Sequence, residues 1–360
     1  MHGDFLLDPD VAYLNHGSFG ACTRPVFEEY QRLQLELERG PTDFFFRRIS
    51  TGFWDREERA GALDDARAAL GSFVGARADD LVFVPNATSG LNAVLRSLRI
   101  RPEEEILTTK HEYGAILRTL AFIRANVVAC DPEDLVASIG MRTRAIVVSH
   151  ITSPTALALP VQEICAAARK AGVLSIVDGA HGPGQLPLDL ERLGADVYAG
   201  NCHKWLCAPK GAGFLWARPE HQEWIEPLVI SWGYRDDAGF GERHGWQGTR
   251  DLAAYLAVPK ALEAWAGFDR DRMRSLADEA ERRLGELRLQ RVPGEPAPFM
   301  RAVVLKYGDA DALWRRLYEE HRVEVPVYEW EGRRVLRVSI GPYNDEEDLE
   351  RLVAALRASL

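Results

Sequence analysis

The stretch from Gly172 to Trp216, GVLSIVDGAHGPGQLPLDLERLGADVYAGNCHKWLCAPKGAGFLW, reads as strand, loop, short helix, strand, turn, strand. The runs 173–177 and 197–199 are short and apolar, bounded by Gly, Asp and Asn, as buried strands are. The first run delivers Asp178 at its C-terminal end, and the second delivers Asn201, His203 and Lys204. Open α/β sheets bind ligands in the crevice outside the carboxyl ends of their strands. An acid and a lysine ending neighbouring strands therefore face a common ligand.

Burial lowers a lysine's pKa, and its neutral amine then attacks carbonyls to form Schiff bases. Enzymes that use pyridoxal phosphate (PLP) need such a lysine. They also need an acid that keeps the pyridine nitrogen protonated, so that the ring accepts electrons. Singly, Asp178 reads as a helix cap and Lys204 as a surface residue. Together, with His181 and His203 beside them, they point to this cofactor. The block VDGAH, and the Lys of GNCHKW 26 residues beyond its Asp, resemble the fold-type I PLP enzymes of the class V aminotransferase family. Within it they are most similar to the isopenicillin N epimerase-like branch, near the cysteine desulfurases and C–S lyases. The resemblance implies an α/β fold: a large domain whose mostly parallel seven-stranded sheet lies between helices, and a smaller α+β C-terminal domain. The expected division is an N-terminal arm over the active site (1–24), a large PLP-binding domain (25–259) and a small domain (260–360).

The bulk properties agree with a soluble enzyme. A chain of 360 residues with 46% hydrophobic and 27% charged residues can bury a large core. Its formal charge of −10 argues against nucleic acid or an anionic membrane as partner. Five cysteines without a CxxC suit a reducing cytoplasm. Cys202 and Cys207 flank Lys204, but no second cluster completes a metal site. MHGDFLLDPD has neither the charged start nor the apolar stretch of a signal peptide, and no apolar run is long enough to span a membrane.

Taken in order, YLNHGSFGA puts Asn15, His16, Gly17, Ser18 and Gly20 in a glycine-rich loop. By resemblance this segment folds over the site and offers Asn15 and His16 to the substrate. Pro25 opens an amphipathic helix that Gly40 ends, and a second helix is expected over 56–71. PTDFFFRRIS reads as core with a solvated edge, with Arg47 a weak site candidate. In LVFVPNATSGLNAVLRSL a strand and a turn lead into a helix from Leu91, and Thr88, Ser89 and Gly90 stand at its start. Helix N-termini suit phosphate, and Ser or Thr there are also ordinary caps. The resemblance gives Ala87 (backbone) and Thr88 (backbone and hydroxyl) to the cofactor phosphate. It places Tyr113, of HEYGA, over the cofactor ring, where desulfurases usually carry His. Ser153, or its neighbour Thr152, falls beside the phenolate oxygen, as does His181. Asn201 and His203 fall where the desulfurases bind phosphate.

The long loop 229–251 has no clean period. Its WQGTRD resembles the element that reaches the partner subunit's phosphate, so Gly248 and Thr249 are carried over and a homodimer with a shared active site is implied. Trp232, Tyr234, His244 and Trp246 are candidates for the substrate pocket, the core or the dimer interface. Pro259 kinks or divides the helical stretch that follows. In the C-terminal part RAVVLKYG, RVEVPVYEW and RRVLRVSIG read as strands. LRVSIGPYNDEEDLERL matches the family's substrate-carboxylate segment, with Arg337 as the guanidinium fork.

These residues imply chemistry at Cα of an amino acid. Lys204 forms the lysine aldimine and then removes the α-proton, and Asp178 stabilises the quinonoid carbanion. Reprotonation from the opposite face, with Tyr113 or His244 as the second acid, makes an epimerase or racemase. Expulsion of a β-leaving group makes a C–S lyase. Reprotonation of the cofactor carbon makes an aminotransferase. A non-catalytic PLP-fold binding protein is disfavoured by the intact Asp178, Lys204 and Arg337. A desulfurase needs a nucleophilic Cys before the carboxylate Arg, and no Cys follows Cys207.

Overall fold

The computed structural model describes residues 2–49, 61–305 and 308–360. After a two-residue strand β1 (Ala12–Tyr13) come β2 (Leu81–Val84), β3 (Glu105–Thr109), β4 (Asn126–Cys130), β5 (Thr143–Ser149), β6 (Leu174–Gly179), β7 (Val197–Asn201) and β8 (Gly213–Ala217). The last seven form one sheet in the order β2-β8-β7-β6-β5-β3-β4. Every pairing is parallel except those of β8, which runs antiparallel to β2 and β7. This is the mostly parallel seven-stranded α/β sheet expected from the sequence.

Side chains alternate across a strand, so each strand feeds two cores. Ile146, Val148 and Val177 join the core packed by the helix Val161–Ala171. Ala145, Val147 and Ile176 join the opposite core, packed by the helix Ala87–Ser97. Helices on both faces explain why β6, β7 and β8 are buried throughout and read as unbroken apolar runs. Gly179 is required here: a Cβ at that position would lie 2.0 Å from Cε1 of the buried Tyr198.

Several boundaries differ from the sequence reading. The helix after β2 begins at Ala87 and not Leu91, because Asn86 caps it by accepting from the Ser89 N–H at 2.9 Å. The helix expected over 56–71 is seen as Ala62–Val74, and residues 56–60 lie outside the described residues. Pro259 falls in the first turn of the helix Val258–Ala266, which follows the short helix Ala253–Leu256. Phe44 is buried, whereas Arg47 is largely exposed and pairs with Asp43, away from the Lys204 site.

The C-terminal part adds β9 (Gln290–Arg291), β10 (Met300–Leu305), β11 (Val323–Glu324), β12 (Val327–Trp330) and β13 (Arg333–Ser339). Residues 306–307, within the expected strand RAVVLKYG, lie outside the described residues. The strand read as RVEVPVYEW is two. Pro326 interrupts it, β12 pairs with β13, and β11 pairs in parallel with β1. The N-terminal segment is thus stitched to the C-terminal sheet, and Ser339 N donates to Leu14 O at 2.8 Å. It then reaches the lysine loop. Gly20 has φ +68°, and a Cβ there would lie 2.0 Å from His203 O. Only glycine permits that approach.

Candidate active site

β5, β6 and β7 end side by side, with Ser149 opposite Asp178 and Gly179 opposite Gly200. Just beyond them lies a cavity of about 250 Å³. Thr88, Tyr113, Ser153, Asp178, His181, Asn201, His203 and Lys204, all expected site residues, line it, joined by Ser18, Phe19 and Asn86. A second cavity, of about 370 Å³, shares Ser18, Phe19, Tyr113, Ser153 and Lys204 with the first and extends to Asn15 and Arg337. Among the described residues these adjoining cavities bring together ten of the fourteen expected positions.

Lys204 sits at the junction. Burial and the nearby Arg337 charge lower its pKa to about 7, against the opposing pull of Asp178. Its hydrogen bonding agrees. Trp205 Nε1–H donates to His181 Nδ1 at 3.3 Å, so a neutral His181 carries its proton on Nε2. That Nε2–H lies 3.1 Å from Lys204 Nζ and needs a lone pair there. Burial, with the Arg337 charge, holds His181 neutral, well below its usual range.

Asp178 is buried and accepts from Ala180 N at 2.9 Å through Oδ1. Its other oxygen takes no hydrogen bond among the described residues. Burial raises its pKa, so a cation arriving beside it would restore the carboxylate. A pyridinium nitrogen is such a cation. Thr88 lines the same cavity, and its N–H, in the first turn of the helix Ala87–Ser97, has no acceptor among the described residues and suits a phosphate. His203 donates Nδ1–H to Ala212 O at 3.1 Å, and burial lowers its pKa to about 4. A phosphate dianion nearby would return a proton to Nε2. The residues present therefore fit PLP.

Four expected positions fall outside the lining. Ala87 cannot offer its N–H to a phosphate, because Asn201 Oδ1 accepts it at 2.8 Å. Asn201 thus fixes the helix start to β7. His16 is fully buried, bonded to Tyr343 Oη at 3.0 Å and Lys204 O at 3.1 Å. It props the lysine backbone from beneath and does not face a substrate. Burial lowers its pKa to about 3, so it stays neutral. Gly248 and the exposed Thr249 do not line the cavity of their own chain. His244 is also buried and outside it, bonded to Phe240 O. Of the two candidate second acids, only Tyr113 lines the cavities.

Arg337 is fully buried on β13. Its Nη1 donates to Ser153 O at 2.7 Å and Ser153 Oγ at 3.3 Å, and its Nη2 to Ser18 Oγ at 2.9 Å and Asn15 Oδ1 at 3.4 Å. Hydroxyl and amide oxygens hold the fork where a carboxylate would bind.

Sequence reasoning missed Ser18, Asn86, Glu112 and Glu324. Ser18 sits inside the quoted LNHGS and Glu112 inside HEYGA, and both could have been asked where their polar groups go. Glu112 is buried, with Oε1 accepting from Ser149 Oγ and Tyr113 N, both at 2.7 Å. Burial and the neighbouring Asp178 push its pKa up to about 8.

The aminotransferase class-V family model matches residues 55–352. An isopenicillin N epimerase from Streptomyces clavuligerus is 35% identical, with 99% of this chain and 96% of that protein covered. A probable chloroplastic L-cysteine desulfhydrase from Arabidopsis thaliana is 28% identical, with 97% and 83% covered. Among solved structures, the cystine C–S lyase C-DES in complex with its product cysteine persulfide superposes with a TM-score of 0.81 at 22% identity, covering 97% of each chain. That likeness shows a common fold. The fold, the Asp178–Lys204 pair and the family match agree: the chain belongs to the class V aminotransferase family and is a PLP-dependent enzyme.

Proposed function

We propose that this enzyme is an epimerase or racemase acting at Cα of an amino acid. The observation that carries the reading is that Lys204, a poised base, and Tyr113, a hydroxyl acid, both border both cavities, with Arg337 in the adjoining one. The likeness to isopenicillin N epimerases supports it.

Bound PLP supplies an electron sink for charge developing at Cα. The chain's residues do the rest. Arg337 takes the substrate carboxylate with Nη1 and Nη2, replacing its contacts to Ser153 and Ser18. Asp178 holds the proton at the ring nitrogen. The His181 Nε2–H orients the Lys204 lone pair, and Lys204 Nζ accepts the α-proton. Tyr113 Oη delivers a proton to the other side of Cα. The Gly248–Thr249 turn serves the partner's phosphate in a homodimer, and the five free cysteines suit a cytoplasmic setting.

The test is a proton NMR time course in deuterated water with L-amino acids and S-substituted cysteines, followed by chiral chromatography. Loss of the α-proton signal with appearance of the D-enantiomer is expected. Pyruvate and a released thiol would replace the reading by C–S lysis, which the desulfhydrase relatives favour. An amino-group acceptor converted stoichiometrically would replace it by transamination. Persulfide chemistry on this chain has no support: burial pushes all five thiols above their usual range, Cys202 and Cys207 the furthest, away from the reactive thiolate.

A further inference from the structure

The 370 Å³ cavity beyond Arg337 has a wall that the Cα chemistry does not use. Glu324, on β11, lines it together with Trp314 and Tyr328. The Glu324 backbone is fixed, since Leu14 N donates to its carbonyl at 2.9 Å. Its Oε1 accepts from Asn15 Nδ2 at 3.0 Å and Trp314 Nε1 at 3.4 Å. Its Oε2 takes no hydrogen bond among the described residues, and no lysine, arginine or histidine among them lies within ion-pair distance of it. A half-buried carboxylate at a cavity wall, oriented by two neutral donors and lacking a counter-ion, is an incomplete pair.

Asn15 makes the arrangement directional. Its amide oxygen faces Arg337 Nη2, and its amide nitrogen faces Glu324 Oε1. One short side chain thus separates a site for an anion from a site for a cation. The negative field of Glu324 also reaches Tyr13, whose hydroxyl is pushed up to about 12 by burial and by this carboxylate. The Tyr328 ring on the same wall already takes the Arg337 guanidinium, 5.2 Å from its centre, so a ligand cation is left to Glu324 and the neighbouring Trp314.

We propose that this cavity is a side-chain subsite for a cation, so that the enzyme prefers α-amino acids whose side chain ends in an ammonium or guanidinium group. The proposal rests on the Cα reading above, which sets the α-carboxylate on Arg337 and the α-amine toward Lys204. The side chain then runs along Asn15 to Glu324. A carboxylate or a purely apolar terminus meets an unpaired acid there and binds less well.

The holoenzyme and its Glu324→Gln variant are titrated calorimetrically with L-ornithine and with L-norvaline, the same carbon chain without the terminal ammonium. α-Proton exchange in deuterated water is followed in the same samples. The wild type should bind ornithine at least about tenfold more tightly than norvaline. Gln can still accept from Asn15 and Trp314, so the variant should lose that preference through ornithine alone, with norvaline affinity held within about threefold. Equal affinities in the wild type would overturn the subsite. So would an equal loss for both ligands in the variant, because Glu324 would then only brace Asn15. A Glu324-dependent preference for ornithine without exchange of any α-proton would uphold the subsite and defeat the Cα reading instead.

Discussion

His181 Nε2 and Lys204 Nζ lie 3.1 Å apart, and the bond between them runs one way. Trp205 occupies Nδ1 as a donor, so the imidazole gives its only proton to the lysine and the lysine receives it as a free amine. Replacing His181 by Leu removes that donor and leaves burial and Arg337 to hold the pKa down. The Lys204 pKa should rise by about one unit. The pH dependence of reductive methylation at Lys204, read by mass spectrometry on the PLP-free protein, checks this. An unchanged midpoint would mean that His181 has no part in poising the amine.

Arg337 holds four neutral oxygen contacts in a fork that a carboxylate can replace. Lysine keeps the charge but not the plane. Arg337→Lys should raise KM for the amino acid by about ten- to a hundredfold, with a smaller effect on kcat. Steady-state kinetics with the best substrate of the NMR panel decides it. A change confined to kcat would place the guanidinium's role in the chemical step rather than in holding the carboxylate.

What the sequence could and could not disclose follows from which interactions are local. β6, β7 and β8 were legible because strands buried on both faces leave continuous apolar runs, and Asp178 and Lys204 were legible because one closes β6 and the other stands in the turn directly after β7. β4 was not read from its pattern. It is the edge of the sheet, largely exposed along Asn126–Cys130, so no strict alternation marks it. The division of RVEVPVYEW was signalled by Pro326, yet its consequence depends on β1, more than three hundred residues away in the chain. Ser18 with Arg337 and Asn15 with Glu324 are contacts of the same kind, 319 and 309 residues apart. Burial of His16 was equally invisible. A histidine in a polar glycine-rich loop looks available until the lysine loop is laid upon it.

Gly20 is where that loop and the N-terminal segment meet. Its positive φ and the 2.0 Å approach to His203 O leave no room for a methyl group. Gly20→Ala should destabilise the protein by about 2 kcal/mol or more, and should shift Lys204 with it. Denaturant unfolding measures the first effect, and loss of PLP affinity measures the second. A variant with wild-type stability would show that the segment can lift away from the lysine loop at no cost.

Glu112 links the site to pH. Its ordinary value is 4.5, and in the folded protein burial and Asp178 carry it up to about 8. Between those values the folded state holds a proton that the unfolded chain has released, so stability falls as pH rises. Below 4.5 both states are protonated, and above about 8 both are ionised, so the loss begins near the first value and is complete past the second. Lys204 acts in the opposite sense, its proton being bound more weakly in the folded state between about 7 and 10.5. Its contribution is common to the wild type and to Glu112→Gln, and cancels in their difference to first order. The substituted amide retains an oxygen for Ser149 and Tyr113 and carries no charge to bury. The variant's stability relative to the wild type should therefore climb steadily through this window and level off above it, as followed by urea unfolding in closely spaced buffers. Parallel stability curves for the two proteins would mean that Glu112 ionises in the folded state as freely as in the unfolded one.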